Sequence, residues 1–178
     1  WMSAKKAAGR YAKEMLDYDL ASRMYAEAAI AAKVIYDREN TKETGKQWLK
    51  LANKAQNNSM RALFIAHTVY VHFAYAEALR VYVDREKSQE RINESEAEIA
   101  NKAAIYNYKQ AKDYANQIIR SPKLPDDACP IQVQVRKERI FNMRNFLEDC
   151  NQALTDLGYQ APSHNPKQRE HRRHRNRR

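Results

Sequence analysis

A chain of 178 residues suits one domain with a sizeable core, and a hydrophobic content of 43% can fill it. Three glycines and five prolines are too few for the turns of a β-rich fold, and three glycines cannot build a phosphate-cradling loop. The net charge of +10 points to acidic partners and is concentrated at one end, where residues 163–178 carry seven Lys/Arg against the single Glu170.

The spacing predicts a first helix over residues 3–40. Ala4, Ala8, Tyr11, Met15, Tyr18, Ser22, Tyr25, Ala29, Ala32 and Tyr36 alternate at intervals of four and three, a heptad-like seam. Tyr11, Tyr18 and Tyr25 are seven apart, and with Tyr36 they form a candidate protein interface, since tyrosine suits contact surfaces. The plainer alternative is a core whose hydroxyls reach a polar partner. Gly9 is tolerated in this helix at a cost of ~1 kcal/mol against alanine.

Residues 40–45 form the first break. Asn40 with Glu43 resembles a capping box, and Gly45 can serve the turn. A second helix is predicted over residues 44–85, with Trp48, Ala52, Ala55, Ser59, Ala62, Ala66, Val69, Phe73, Ala76 and Val83 on its seam. The apolar surface widens over residues 63–83, but His67, His72, Glu77 and Arg80 make this a buried helix rather than a membrane span. No acidic residue occurs between Thr44 and Ala76, whereas Lys46, Lys50, Lys54 and Arg61 do. The lysines repeat at i, i+4, where like charges repel, and they lie near a helix N-terminus, where positive charge is unfavourable. Compensation is expected either from acidic residues of the first helix, such as Asp37 and Glu39, or from a bound anion or acidic partner.

Ser95 with Glu98 marks the cap of a third helix reaching residue 120, with Ile99, Ala103, Tyr106, Ala111, Tyr114, Ala115 and Ile118 inward and Ser121-Pro122 as its stop. After a proline-containing loop, Asp126 or Asp127 caps a fourth helix carrying Val133, Ile140, Met143, Leu147, Cys150, Leu154 and Leu157, and Gly158 closes it. The expected fold is all-α: an elongated four-helix bundle over residues 1–160, followed by a disordered Arg-rich tail over 161–178. From His164 onward the tail has no apolar residue and cannot fold alone. No repeat of fixed period emerges, and residues 106–122 lack the small-residue and glycine positions of a tetratricopeptide helix.

Cys129 and Cys150 lie ~30 Å apart if one helix joins them, so no disulfide within the chain is expected. Two free thiols lean towards a reducing, intracellular compartment. No signal-peptide pattern opens the chain at Trp1-Met2, and a leader removed before Trp1 is left open.

No catalytic, cofactor or metal constellation is legible. Glu-x-x-His, His-Glu-x-x-His and Gly-x-Ser-x-Gly are absent, and His67 and His72 are five apart, on different faces of a helix. The expected function is therefore a non-catalytic helical scaffold that joins other protein subunits in a larger assembly. The alternative is an RNA-associated protein that binds phosphates through Lys46, Lys50, Lys54 and Arg61 together with the tail residues Lys167, Arg169, Arg172, Arg173, Arg175, Arg177 and Arg178. Arginine outnumbers lysine six to one in the tail, which favours phosphate contacts.

Overall fold

A computed structural model describes residues 1–62, 65–121, 124–125 and 127–159. These residues form six α-helices and no strand, and 84% of them are helical. The helices are α1 (Met2–Glu14), α2 (Tyr18–Glu39), α3 (Lys42–Ser59), α4 (Ile65–Ser88), α5 (Glu94–Ile119) and α6 (Pro130–Asp156). The tail falls outside the described residues.

Each of the first two predicted helices is split in two. In the first, Leu16 takes a left-handed φ of 60° and the Asp17 carboxylate accepts from the Leu20 amide at 3.0 Å, starting a new helix. This resets the phase of the seam. Ser22, Tyr25, Ala29, Ala32 and Tyr36 remain buried, but Tyr11 and Met15 are exposed and α1 buries Gly9 and Ala12 instead. The second split follows Asn58 and Ser59, whose side chains bond back to the Lys54 carbonyl at 2.7 Å and the Gln56 carbonyl at 2.8 Å. Side chains that satisfy the local backbone in this way compete with helix continuation. Thr68 then bonds across the corner to the Ser59 carbonyl at 3.0 Å.

Three predicted caps shift by a few residues. Asn40 ends α2 in a left-handed conformation, φ 50°, and Thr41 caps α3 by accepting from the Thr44 amide at 3.2 Å. The capping box of α5 is Asn93 with Glu96 rather than Ser95 with Glu98. Helix α6 starts from Cys129, with Pro130 in its first turn, where a missing N–H costs nothing. Gly158 takes φ 70° at the end of α6, as the sequence implies.

Each helix packs chiefly on its neighbour in sequence: α1 on α2, α2 on α3, α3 on α4, α4 on α5 and α5 on α6. Four-helix bundles gather their helices round one shared core. Here each helix rests chiefly on its neighbours in sequence. Contacts that skip one helix join odd to odd and even to even. Gln47 of α3 meets Met2 of α1, Lys42 of α3 pairs with Glu96 of α5, Ser22 of α2 meets His67 of α4, and Tyr70 of α4 packs edge-on against Phe146 of α6.

Alanines make this stacking close. Ala28, Ala29, Ala32, Ala52 and Ala55 are all buried between α2 and α3. Gly45 is also a packing residue, inside the first turn of α3 rather than in the loop before it. A Cβ there would lie 2.8 Å from the Tyr82 ring and 2.9 Å from the Tyr36 ring. Polar ties centred on buried side chains also cross the packed faces. Glu86 accepts from the Tyr36 hydroxyl at 2.7 Å and from Arg91 at 2.6 and 2.9 Å, while Arg91 also donates to the Asn40 carbonyl, locking the ends of α2 and α4 together. His72 bonds to Asn107 Oδ1 at 2.8 Å; because that oxygen only accepts, His72 carries its proton on Nδ1.

Candidate binding surfaces

Helix α3 presents Lys46 and Lys50 to solvent and lays the half-buried Lys54 over the Tyr25 ring, its Nζ 5.2 Å from the centroid. Arg61, in the turn that follows, sits over the Tyr18 ring at 5.4 Å. The expected compensation from the first helix is not made. Asp37 bonds to Lys33 at 2.5 Å and to Arg85 at 2.9 Å, and Glu39 pairs with Arg38. The C-terminal end of α2 is held against α4, away from the lysine face.

Helix α1 instead brings further cations. Met2 lies beside Gln47, so α1 and α3 run side by side in the same direction, with Tyr25 of α2 between them. Burial lowers the Lys54 pKa, and Lys50, Lys6, Lys13 and Arg10 lower it further. Among the described residues, no carboxylate comes within 4.0 Å of the charged groups of Lys6, Arg10, Lys13, Lys46, Lys50 or Lys54. Residues Lys6, Arg10 and Lys13 do not stand out in the sequence, because some 40 residues separate them from the α3 lysines. The available signal was Gly9, a helical glycine that marks close approach: a Cβ there would stand 3.2 Å from the Tyr25 ring. The remaining basic candidates, Lys167, Arg169, Arg172, Arg173, Arg175, Arg177 and Arg178, lie outside the described residues.

The tyrosine stripe does not form one outward face. Tyr11 is 66% exposed and Tyr18 is half-buried, whereas Tyr25 and Tyr36 are in the core at 3% and 0%. Burial, then the hydrogen bond to Glu86, raises the Tyr36 pKa, and burial raises that of Tyr25. The break at Leu16 is the physical reason, since it turns α1 relative to α2 and takes Tyr11 off the shared seam.

A second surface is a groove of about 530 Å³ between α2 and α4. Trp48, Ala52 and Ala55 of α3 line it. Ala26, Ala29 and Ile30 contribute from α2, and Tyr70, Ala74 and Ala78 from α4. Its ends are closed where α2 and α4 touch, at Ser22–His67 and at Tyr36–Glu86. Along α2 that is ~21 Å, about four helical turns. Ile30 is 63% exposed and Tyr70 47%, so large apolar side chains face solvent here, with Lys33 and Glu77 also in the lining.

His67 and Cys150 have structural surroundings. Ser22 donates to the Ala55 carbonyl at 2.8 Å and accepts from His67 Nε2 at 3.0 Å, and burial holds the His67 pKa below its usual value. Cys150 is buried, with its thiol pushed up to about 12 chiefly by burial, and Cys129 is exposed; both are free. Among the described residues, no group of three or more His, Cys, Asp or Glu side chains is placed to hold a metal ion, and no helix is long and apolar enough to cross a membrane.

The fold and these surfaces define an all-helical protein carrying a cationic face and an apolar groove. Comparison with protein-family models, with curated proteins and with solved structures finds no match.

Proposed function

We propose that the chain is a non-catalytic scaffold whose α2–α4 groove receives an amphipathic helix of another protein subunit. The observation that carries this reading is the groove itself. Small residues, Ala26, Ala29, Ala74 and Ala78, allow a helix backbone to approach closely, while Ile30, Tyr70 and Trp48 offer apolar contact. Lys33 and Glu77 at the rim are already paired, with Asp37 and Arg80, so the contact offered is chiefly apolar. A helix of about four turns matches the distance between the closed ends.

Site-specific photo-crosslinking tests the reading. A photoreactive residue at Ala74 should give one discrete adduct in the native assembly, and Ile30→Asp should abolish it. The same probe at Lys102, an exposed position on α5, should give none. Equal adduct patterns from both positions, or an adduct indifferent to Ile30→Asp, would refute the groove as the docking site.

A second reading, an RNA-associated protein that holds phosphates with the Arg-rich tail and the Lys46–Arg61 face, is favoured by the absence of carboxylate partners for Lys46, Lys50 and Lys54 among the described residues.

A further inference from the structure

We infer that α1 and α3 together form a binding site for the phosphodiester backbone of single-stranded RNA, in which Lys6, Arg10 and Lys13 face Lys50 and Lys54 across the Tyr25 ring. The inference builds on the second reading above but makes the site a groove between two helices that does not need the tail.

Two separated sequence segments supply the charge, and the fold brings them together. Helix α1 has a single carboxylate, Glu14, and α3 has only Glu43, in its first turn. Bringing like charges together costs free energy, and the carboxylates nearby leave it largely unrelieved: Glu27 of α2 pairs with Lys5, and Glu14, which acts on Tyr25, comes within 4.0 Å of none of these cations. Along α3, Lys50 and Lys54 are one turn apart, ~6 Å, and on α1 Lys6 to Arg10 covers the same rise. A flexible polyanion running between the rows meets cations from both sides. Lys54 is held in place by the ring beneath it, so its orientation is partly fixed before anything binds.

The surroundings favour a phosphate chain over a lipid surface. Amphipathic surfaces that dock on bilayers pair cations with apolar side chains that enter the headgroup region. On α3 no large hydrophobic residue from Lys42 to Ser59 is exposed, and Tyr25, between the rows, is buried, while the exposed Tyr11 of α1 lies roughly 100° or more round the helix from Lys6, Arg10 and Lys13. The strip between the rows therefore offers charge without an apolar anchor. With no exposed aromatic between the rows for bases to stack on, contact is through phosphates and independent of base sequence.

The test is binding of the full chain to a labelled unstructured RNA by fluorescence anisotropy across a salt series. For a single strand, each phosphate that a side chain no longer neutralises lowers the slope of log K against log salt by ~0.7. Lys50→Gln with Lys54→Gln should reduce it by ~1.4, and Lys6→Gln, Arg10→Gln and Lys13→Gln together by ~2.1. Lys50→Arg with Lys54→Arg should restore it, which separates a missing charge from a damaged fold, and circular dichroism of each variant checks that the helices persist. An unchanged slope in both Gln variants, with binding abolished by deleting residues 163–178, would overturn the α1–α3 site while leaving the tail as the RNA contact. Absence of RNA binding at low salt would overturn both. Binding to anionic phospholipid vesicles with the same dependence on these lysines, and none to RNA, would replace the phosphodiester chain by a membrane.

Discussion

Gly45 shows how much can depend on one missing side chain. On propensity alone, Gly45→Ala would stabilise α3 by ~1 kcal/mol. Its added Cβ would instead meet the Tyr82 and Tyr36 rings at under 3.0 Å, and overpacking of this kind costs about 1–3 kcal/mol. The substitution should lower the urea midpoint, and a rise would mean that the rings move aside freely. The buried imidazoles make a second residue-scale prediction. Burial, the largest cause in each case, lowers the pKa of both His67 and His72. The unfolded chain takes up protons on them near pH ~6.5, while the folded chain resists. Below that pH the unfolded state binds more protons, so stability is fully present above it and is lost as pH falls. The melting temperature should drop between about pH 7 and 5.5, and His67→Gln with His72→Gln should flatten that dependence. Neither role was legible beforehand: the sequence marks Gly45 as a turn residue and sets the histidines on different faces of a buried helix, and only the neighbouring helices show what each one touches.

At the scale of elements, helix type and most outer boundaries follow from the sequence, but the interior breaks do not. A heptad-like seam runs straight through Leu16, so periodicity carries no sign of the interruption there. The sign is local, in Asp17, which competes for the Leu20 amide. The corner after Ser59 is of the same kind. In the sequence residues 84–98 are densely charged without showing which charges pair, and the structural content of this α4–α5 connection is an ion pair whose carboxylate, Glu86, is buried. Arg91→Met would leave the Glu86 carboxylate interior and without its guanidinium, and removing one partner of a buried pair costs about 3–5 kcal/mol. Chemical denaturation should show a loss of that size, with Glu86→Gln added to Arg91→Met recovering much of it. A loss below ~1 kcal/mol would mean that water reaches Glu86 easily.

For the whole molecule, the all-α class was legible from composition, glycine scarcity and seam periodicity. The order of packing was not, because a hydrophobic seam says that a helix has a partner without saying which one. Four long helices with inward seams suggest a closed bundle; six shorter ones, each resting on its chain neighbours, leave α2 and α4 apart between Ser22 and Tyr36. That gap is the basis of the scaffold reading, and the same stacking sets α1 beside α3 to build the cationic face. The lysines of α3 were legible as candidate anion contacts and those of α1 were not, while Trp48 and its alanines read only as a packing seam, with no sign that they floor a groove. The central claim, that the groove holds a partner helix, is tested most directly by hydrogen–deuterium exchange of the full chain, alone and bound to the subunit cross-linked through Ala74. The account predicts slower exchange in α2 and α4 around residues 26–33 and 70–81, with α5 unchanged. Slowing confined to α5 and α6, or to the tail, would contradict it.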